Sequence, residues 1–247
     1  MSLASVLAAD DGQCVAAVGA GGKKTTLYRL GRLLDYAVVT ATVRIPIFDE
    51  HVGDVVVTAD PVSTLRARSD DGDVWPLGLV PEREREDRYR GYAPHTVDGI
   101  VSAHDGPVLV KADGARNRLL KAPDGREPQF PSRVDTVLPL VSARVVGKPL
   151  SDEWVHQPEL VSDLAGVALG DDIDAAAVAR VLASPAGGLK GVPDGAAVVA
   201  VVNMVDDDAL RAVGGNIAAE ALSLTDRLDR VVLTQLVAPD PVVEVFA

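Results

Sequence analysis

Gly19-Ala20-Gly21-Gly22-Lys23-Lys24-Thr25-Thr26 joins a short apolar run to a stretch with leucines at helical spacing, and its reading decides the fold. The run before it, residues 13–19, is continuously apolar and reads as a buried strand. After it, Leu27, Leu30, Leu33 and Leu34 recur at the spacing of one helix face, so residues 25–34 read as a helix. A glycine loop between strand and helix lets backbone N–H groups close around phosphate oxygens, and the helix N-terminus adds a positive dipole end. A lysine there neutralises β- and γ-phosphates, and a following hydroxyl ligates Mg2+.

The spacing departs from G-x-x-x-x-G-K-[ST] in either register. Counted from Lys23, the first position is Ala17 and Lys24 takes the hydroxyl slot. Counted from Lys24, Thr25 follows correctly but Lys23 replaces the preceding glycine. Residues Gly19 to Thr26 are the candidate phosphate binders, with Lys23 slightly favoured as the catalytic lysine. A dinucleotide fingerprint fits less well. Lys24 stands where its third glycine belongs, and the second strand ends in Thr40-Ala41-Thr42 with no acid for a ribose.

Working outward, strand-like runs at 36–42, 54–58, 107–112, 136–141, 196–202 and 231–235 alternate with helical stretches at 61–68, 171–182 and 206–222. Residues 242–246 add an edge strand. This alternation predicts an α/β fold, a mostly parallel sheet flanked by helices and P-loop NTPase-like. One domain over 1–247 is expected, with an irregular insertion at about 50–100. The charged run 81–91 reads as a solvated face, and 116–131 as an ordered loop.

Asp113 follows the apolar run 108–110 and precedes Gly114, the place of an acid that binds Mg2+ beside a phosphate loop. Thr25 and Asp113 are therefore the expected metal ligands. A turn-forming Asp beside Gly is the plainer alternative. Thr40 and Thr42 end the neighbouring strand and are candidates for γ-phosphate or a metal-bound water, or are ordinary strand threonines. Late in the chain, Asn203-Met204-Val205-Asp206 has the form of the guanine-reading Asn-Lys-x-Asp motif with Met in place of Lys. There a carboxylate accepts two hydrogen bonds, from the guanine N1–H and exocyclic amine, which adenine cannot supply. Asp206 serves equally as a cap of the next helix. His156 and Glu159 share an i, i+3 spacing but have no further ligand cluster nearby, so packing is the expected role.

Composition narrows the classes. The chain has 36 acids against 24 bases, a net charge of −12, so clustered phosphate clamps for duplex nucleic acid or an anionic membrane are not expected. A single cysteine, Cys14, excludes an internal disulfide. No apolar run spans a membrane and the first ten residues lack a basic signal region, so the cytoplasm is the expected location. Of the acids 27 are Asp, and of the bases only 6 are Lys, which reads as halophilic surface adaptation or, more plainly, as the bias of a high-GC genome.

Beyond the separate motifs, an ordered set resembles one family. It comprises Gly19 to Lys23, Thr40 to Arg44, Ala112 to Arg116, Leu120 to Pro123 with Glu127-Pro128, Gly188 to Pro193, and Asn203 to Asp206. Together these are similar to YqeC, accessory proteins of selenium-dependent molybdenum hydroxylases. The resemblance implies a Mg2+-dependent GTP- or ATP-binding protein that helps mature or load such a hydroxylase, acting as a nucleotide switch or a slow NTPase. The partners implied are a nucleoside triphosphate and a hydroxylase client or cofactor precursor. Arg116, Lys121, Glu127 and Lys190 are then candidates for substrate or partner contact, and 116–128 for a segment that orders on γ-phosphate. A ligase or kinase acting on a small precursor, and a non-hydrolysing scaffold, are the alternatives. The chain departs from the family in its second loop lysine, in Lys111 where Glu is common, and in the thinned Thr-Ala-Thr strand end.

A halophilic surface is tested by salt. The urea midpoint is expected to rise steeply as KCl goes from ~10 mM to ~1 M, where the Debye length shrinks to ~3 Å and self-repulsion is screened. A flat midpoint would support the genomic-bias reading.

Overall fold

The computed structural model describes residues 1–10, 13–68 and 74–247. Nine strands form one sheet: β1 Cys14–Gly19, β2 Val38–Ala41, β3 Asp54–Val57, β4 Leu77–Val80, β5 Val108–Lys111, β6 Thr136–Ser142, β7 Ala197–Asn203, β8 Arg230–Thr234 and β9 Val242–Phe246. Their spatial order is β9-β8-β7-β6-β1-β5-β2-β4-β3. Every neighbouring pair is parallel except β8 with β9. The helices are α1 Leu3–Val6, α2 Lys23–Leu33, α3 Pro61–Arg66, α4 Pro94–Ala103, α5 Pro158–Ala165, α6 Ala175–Ala183 and α7 Asp208–Leu224. The protein is thus an α/β fold with a large, mostly parallel sheet flanked by helices.

Central strands read as unbroken apolar runs because both of their faces are covered. In β1, Val15 and Ala17 pack with Leu27 and Leu30 of α2. The alternate residues Cys14, Ala16 and Val18 pack with Val97 and Ile100 of α4. In β7, Val199 and Val201 join the α2 side, while Val198, Ala200 and Val202 pack with Val178 and Val181 of α6 and Ile217 of α7.

The stretch at 50–100 is not an irregular insertion. Within its described residues it supplies β3, α3, β4 and α4, and so completes one side of the sheet; residues 69–73 lie outside the description. Gly78 hides β4 from a reading by strand propensity, yet it is required there. A Cβ at Gly78 would stand 2.7 Å from Cε2 of Phe48, whose ring packs over the strand. Helix α2 begins at Lys23, two residues before the expected start, and α6 begins at Ala175, after the Asp174 cap. The loop 116–131 carries a two-residue strand, Leu120–Lys121, paired in parallel with Val155–His156.

The topology decides where a site can form. Strand β1 lies between β5 and β6, and the chain leaves β1 toward β2 but leaves β6 toward β7, in opposite directions along the sheet. In open α/β sheets the crevice at the carboxyl ends beside such a reversal is where ligands bind. Gly19, Asp113, Thr42, Ser142, Asn203 and Thr234 all end or follow strands on that edge.

The cap of α7 is Asp207, whose carboxylate accepts the Leu210 N–H at 2.8 Å. Asp206 is thereby left outside the helix. Asp207→Ala is expected to lower the unfolding free energy by ~1 kcal/mol in a urea titration. Asp206→Ala, which removes a half-exposed ion pair, is expected to lower it less.

Candidate functional site

The loop after β1 needs its glycines. Gly19 and Gly21 have φ of 85° and 78°, and Gly22, the N-cap of α2, has φ of 149°. Crowding adds to this: a Cβ would stand 2.3 Å from the Leu140 carbonyl oxygen at Gly19 and 2.5 Å from the Ser142 nitrogen at Gly21. The upper part of the loop is tied to the fold. Ala20 N–H donates to Leu140 O at 2.9 Å, and Gly21 N–H to Arg118 O at 3.1 Å. Asn203 Nδ2 donates to Gly21 O at 2.7 Å, while its Oδ1 accepts from Thr234 Oγ1 at 3.1 Å and Leu236 N–H at 3.2 Å. Among the described residues no acceptor meets the amides of Gly22, Lys23, Lys24 and Thr25. These are the orphan donors of a helix start.

Lys23 and Lys24 have different surroundings. Lys23 is buried, donates to Gly19 O, and pairs with Asp113 Oδ1 at 2.8 Å. Lys24 is half-buried, its pKa lowered by burial and then by Arg88. The two threonines diverge as well. Thr25 is exposed, whereas the buried Thr26 hydroxyl donates to Gly22 O at 3.2 Å. The hydroxyls of Thr40 and Thr42 are also spent within the fold, on Leu79 O at 2.8 Å and Gln129 O at 2.7 Å.

Asp113 is the centre of the arrangement. It is 1% exposed. Its Oδ2 accepts the Gly19 N–H at 2.8 Å and faces Lys121 Nζ at 3.1 Å. Lys121 also pairs with Glu127 and donates to Gly114 O, and Glu127 Oε1 accepts the Gly114 N–H at 2.8 Å. Lys111 lies underneath, donating to Arg44 O at 2.9 Å and to Asp113 O at 2.8 Å. Burial alone would raise the Asp113 carboxyl, but Lys23 and then Lys121 outweigh it and hold it below the usual range. Burial, and then Lys23, push Lys111 down to about 7. Two ammonium groups, Lys23 and Lys121, thus meet two carboxylates, with the Lys111 amine beneath them. A cavity of about 20 Å3 beside them is lined by Gly19, Asp113, Lys121, Gly188 and Lys190, room for about one water.

The other candidates sit around this core. Lys190 donates to Pro123 O at 3.4 Å and to Asp124 O, pinning its loop to the segment after Asp113. Arg116 is exposed, with φ of 46°. Asp206 stands apart, its Oδ2 2.6 Å from Nη2 of Arg144. Met204 has φ of 62° and its sulfur accepts from Ser142 Oγ at 3.1 Å. His156 lies in the short strand and Glu159 in the first turn of α5; no group of three metal-binding side chains forms among the described residues. Lys111 and Arg144 are members that motif reasoning misses. A lysine closing the apolar run Val108-Leu109-Val110 was the available signal for Lys111.

The YqeC protein family model matches residues 15–159, which include the loop, Lys111, Asp113, Lys121 and Glu127. The chain belongs to the YqeC family. It is 27% identical over 196 residues to the Escherichia coli (strain K12) protein named "Uncharacterized protein YqeC", covering 76% of this chain and 75% of that relative. No solved structure matches the chain. The family match ends before Asn203 and Asp206, so the base-side candidates rest on the fold.

Lys111 makes stability depend on pH. The folded chain sheds this proton near 7 while the unfolded chain keeps it into the ordinary lysine range, so stability rises with pH across that interval. Lys111→Met is expected to flatten the rise by about one proton, read from urea midpoints between pH 6.5 and 9.5.

Proposed function

We propose that this YqeC-family protein binds a nucleoside triphosphate at the carboxyl edge of the sheet, as an accessory to maturation of a selenium-dependent molybdenum hydroxylase. The observation that carries the nucleotide reading is the start of α2. Four consecutive amides without acceptors, residues 22–25, meet two lysines, Lys23 and Lys24, at the positive end of a helix dipole. Phosphate oxygens match such donors in charge and spacing. The sheet order supports a P-loop-type arrangement, with the acid-bearing β5 on one side of β1 and β6 and β7 on the other. The hydroxylase client comes from the resemblance alone.

Asp206 is the base reader in this proposal. It follows β7, two strands from the loop, and Asn203 of the same motif ties the loop through Gly21 O. Guanine would engage the carboxylate through two N–H groups. Arg144, 54% exposed at its side chain, would yield its place on Oδ2 to the base and turn to solvent. Any turnover would rest on positioning and charge stabilisation, the means the site offers.

Thermal shift with GTP, ATP and CTP tests this in wild type and Asp206→Ala. GTP is expected to raise the Tm of the wild type most, and Asp206→Ala to erase the preference while keeping a shift common to all three. Equal shifts from GTP and ATP in the wild type would end the guanine reading. No shift from any nucleotide would end the nucleotide reading.

A further inference from the structure

The nucleotide reading raises the question of what neutralises the phosphates. In P-loop proteins of standard spacing Mg2+ takes much of that charge, held by the hydroxyl that follows the phosphate lysine and by the acid of the neighbouring strand. Mg2+ demands near-ideal oxygen geometry at ~2.0–2.1 Å and usually keeps several of its waters. The residues at this edge do not fit it. The slot after Lys23 holds Lys24, which offers no oxygen. Thr25 lies one residue further on and faces solvent. The hydroxyls of Thr26, Thr40 and Thr42 keep their lone pairs, but each is held in place by donating to a backbone carbonyl of the fold.

Asp113 is no better placed to hold the ion. Oδ1 faces Lys23, and Oδ2 faces both the Gly19 N–H and Lys121. Lys23 could swing to an arriving phosphate. Lys121 could not: its side chain is 0% exposed, and Glu127 and Gly114 O hold it as well. A divalent ion on Asp113 would sit against that fixed ammonium. Binding through water requires space, and the adjoining cavity holds about one water.

We infer that this chain meets the phosphates of its nucleotide with lysine ammonium groups in place of a divalent cation. Lys23 and Lys24 would face the ligand, while Lys121 would keep Asp113 neutralised once Lys23 has turned away. The inference rests on the nucleotide reading and deepens it. Charge favours it. Around Asp113 the ammonium groups of Lys23 and Lys121 balance two carboxylates, Lys111 adds positive charge below about pH 7, and Lys24 adds a further positive charge at the same helix end. A polyphosphate lowers that surplus, whereas Mg2+ arriving with it would raise the positive charge beside buried lysines.

Calorimetric titration of the full chain tests this, with GTP, ATP and inorganic triphosphate as probes, in excess EDTA and in millimolar Mg2+. The Kd for any probe that binds is expected to agree between the two arms within about threefold, well under the tenfold that marks 1.4 kcal/mol. Binding that weakens more than about tenfold in EDTA would overturn the inference and leave the nucleotide reading standing. Absence of binding in both arms would overturn both. Lys24→Thr restores a hydroxyl to the slot at a half-buried position. It is expected to weaken binding in EDTA by about tenfold or more and to recover part of that with Mg2+. Unchanged binding of this variant in EDTA would overturn the role given to Lys24.

Discussion

The buried carboxylate of Asp113 is the interaction on which the rest of the edge depends. A fully desolvated charge persists only when paired and hydrogen-bonded, and removing one partner of such a pair typically costs about 3–5 kcal/mol. Asp113 draws its partners from three places: Gly19 at the end of β1, Lys23 at the start of α2, and Lys121 in the segment that follows it. The loop conformation, the helix start and the path of residues 114–127 are therefore set together. On the other side Asn203 fastens the same loop to β7 and β8 through three hydrogen bonds. Between these two anchors the first turn of α2 keeps free donors, and the proposed ligand would be met there.

Charge is divided between surface and site in a way that bears on this chemistry. The chain carries −12 overall, yet none of its six lysines is fully exposed, and three of them lie within the Asp113 cluster. Exposed cations are largely arginines, several of them paired with acids, as Arg44 is with Glu84. An acidic surface repels a triphosphate in dilute buffer, and salt shortens the reach of that repulsion to a few ångströms. A buried lysine cluster is screened much less and keeps its attraction for phosphate. A salt-adapted surface and the anion binding proposed at the edge would therefore be compatible in one molecule.

Much of the fold was legible in the sequence. Unbroken apolar runs such as 14–18 and 197–202 mark strands covered on both faces, and their alternation with helical spacing marks a parallel α/β sheet. Other parts were not. Strand β4 was obscured by Gly78, whose lack of a side chain is explained only by the Phe48 ring above it. Helix α4 begins at a proline after a short polar stretch and buries little beyond Val97 and Ile100, so its periodicity is faint. The cap of α7 was one residue from Asp206, because two adjacent acids are equivalent to a pattern and distinct only in backbone angle.

By itself the sequence determined the sheet-and-helix class, the glycine loop between its first strand and helix, and the order of motifs that marks the YqeC family. These follow from local composition and spacing, which act over a few residues. Only the tertiary structure decided which lysine of the pair turns to Asp113, that Lys111 and Lys121 join it, and that Thr40 and Thr42 spend their hydroxyls inside the fold. Those outcomes depend on groups far apart in the chain competing for the same buried acceptors. Such competition is settled by packing and desolvation, which no single stretch of sequence contains.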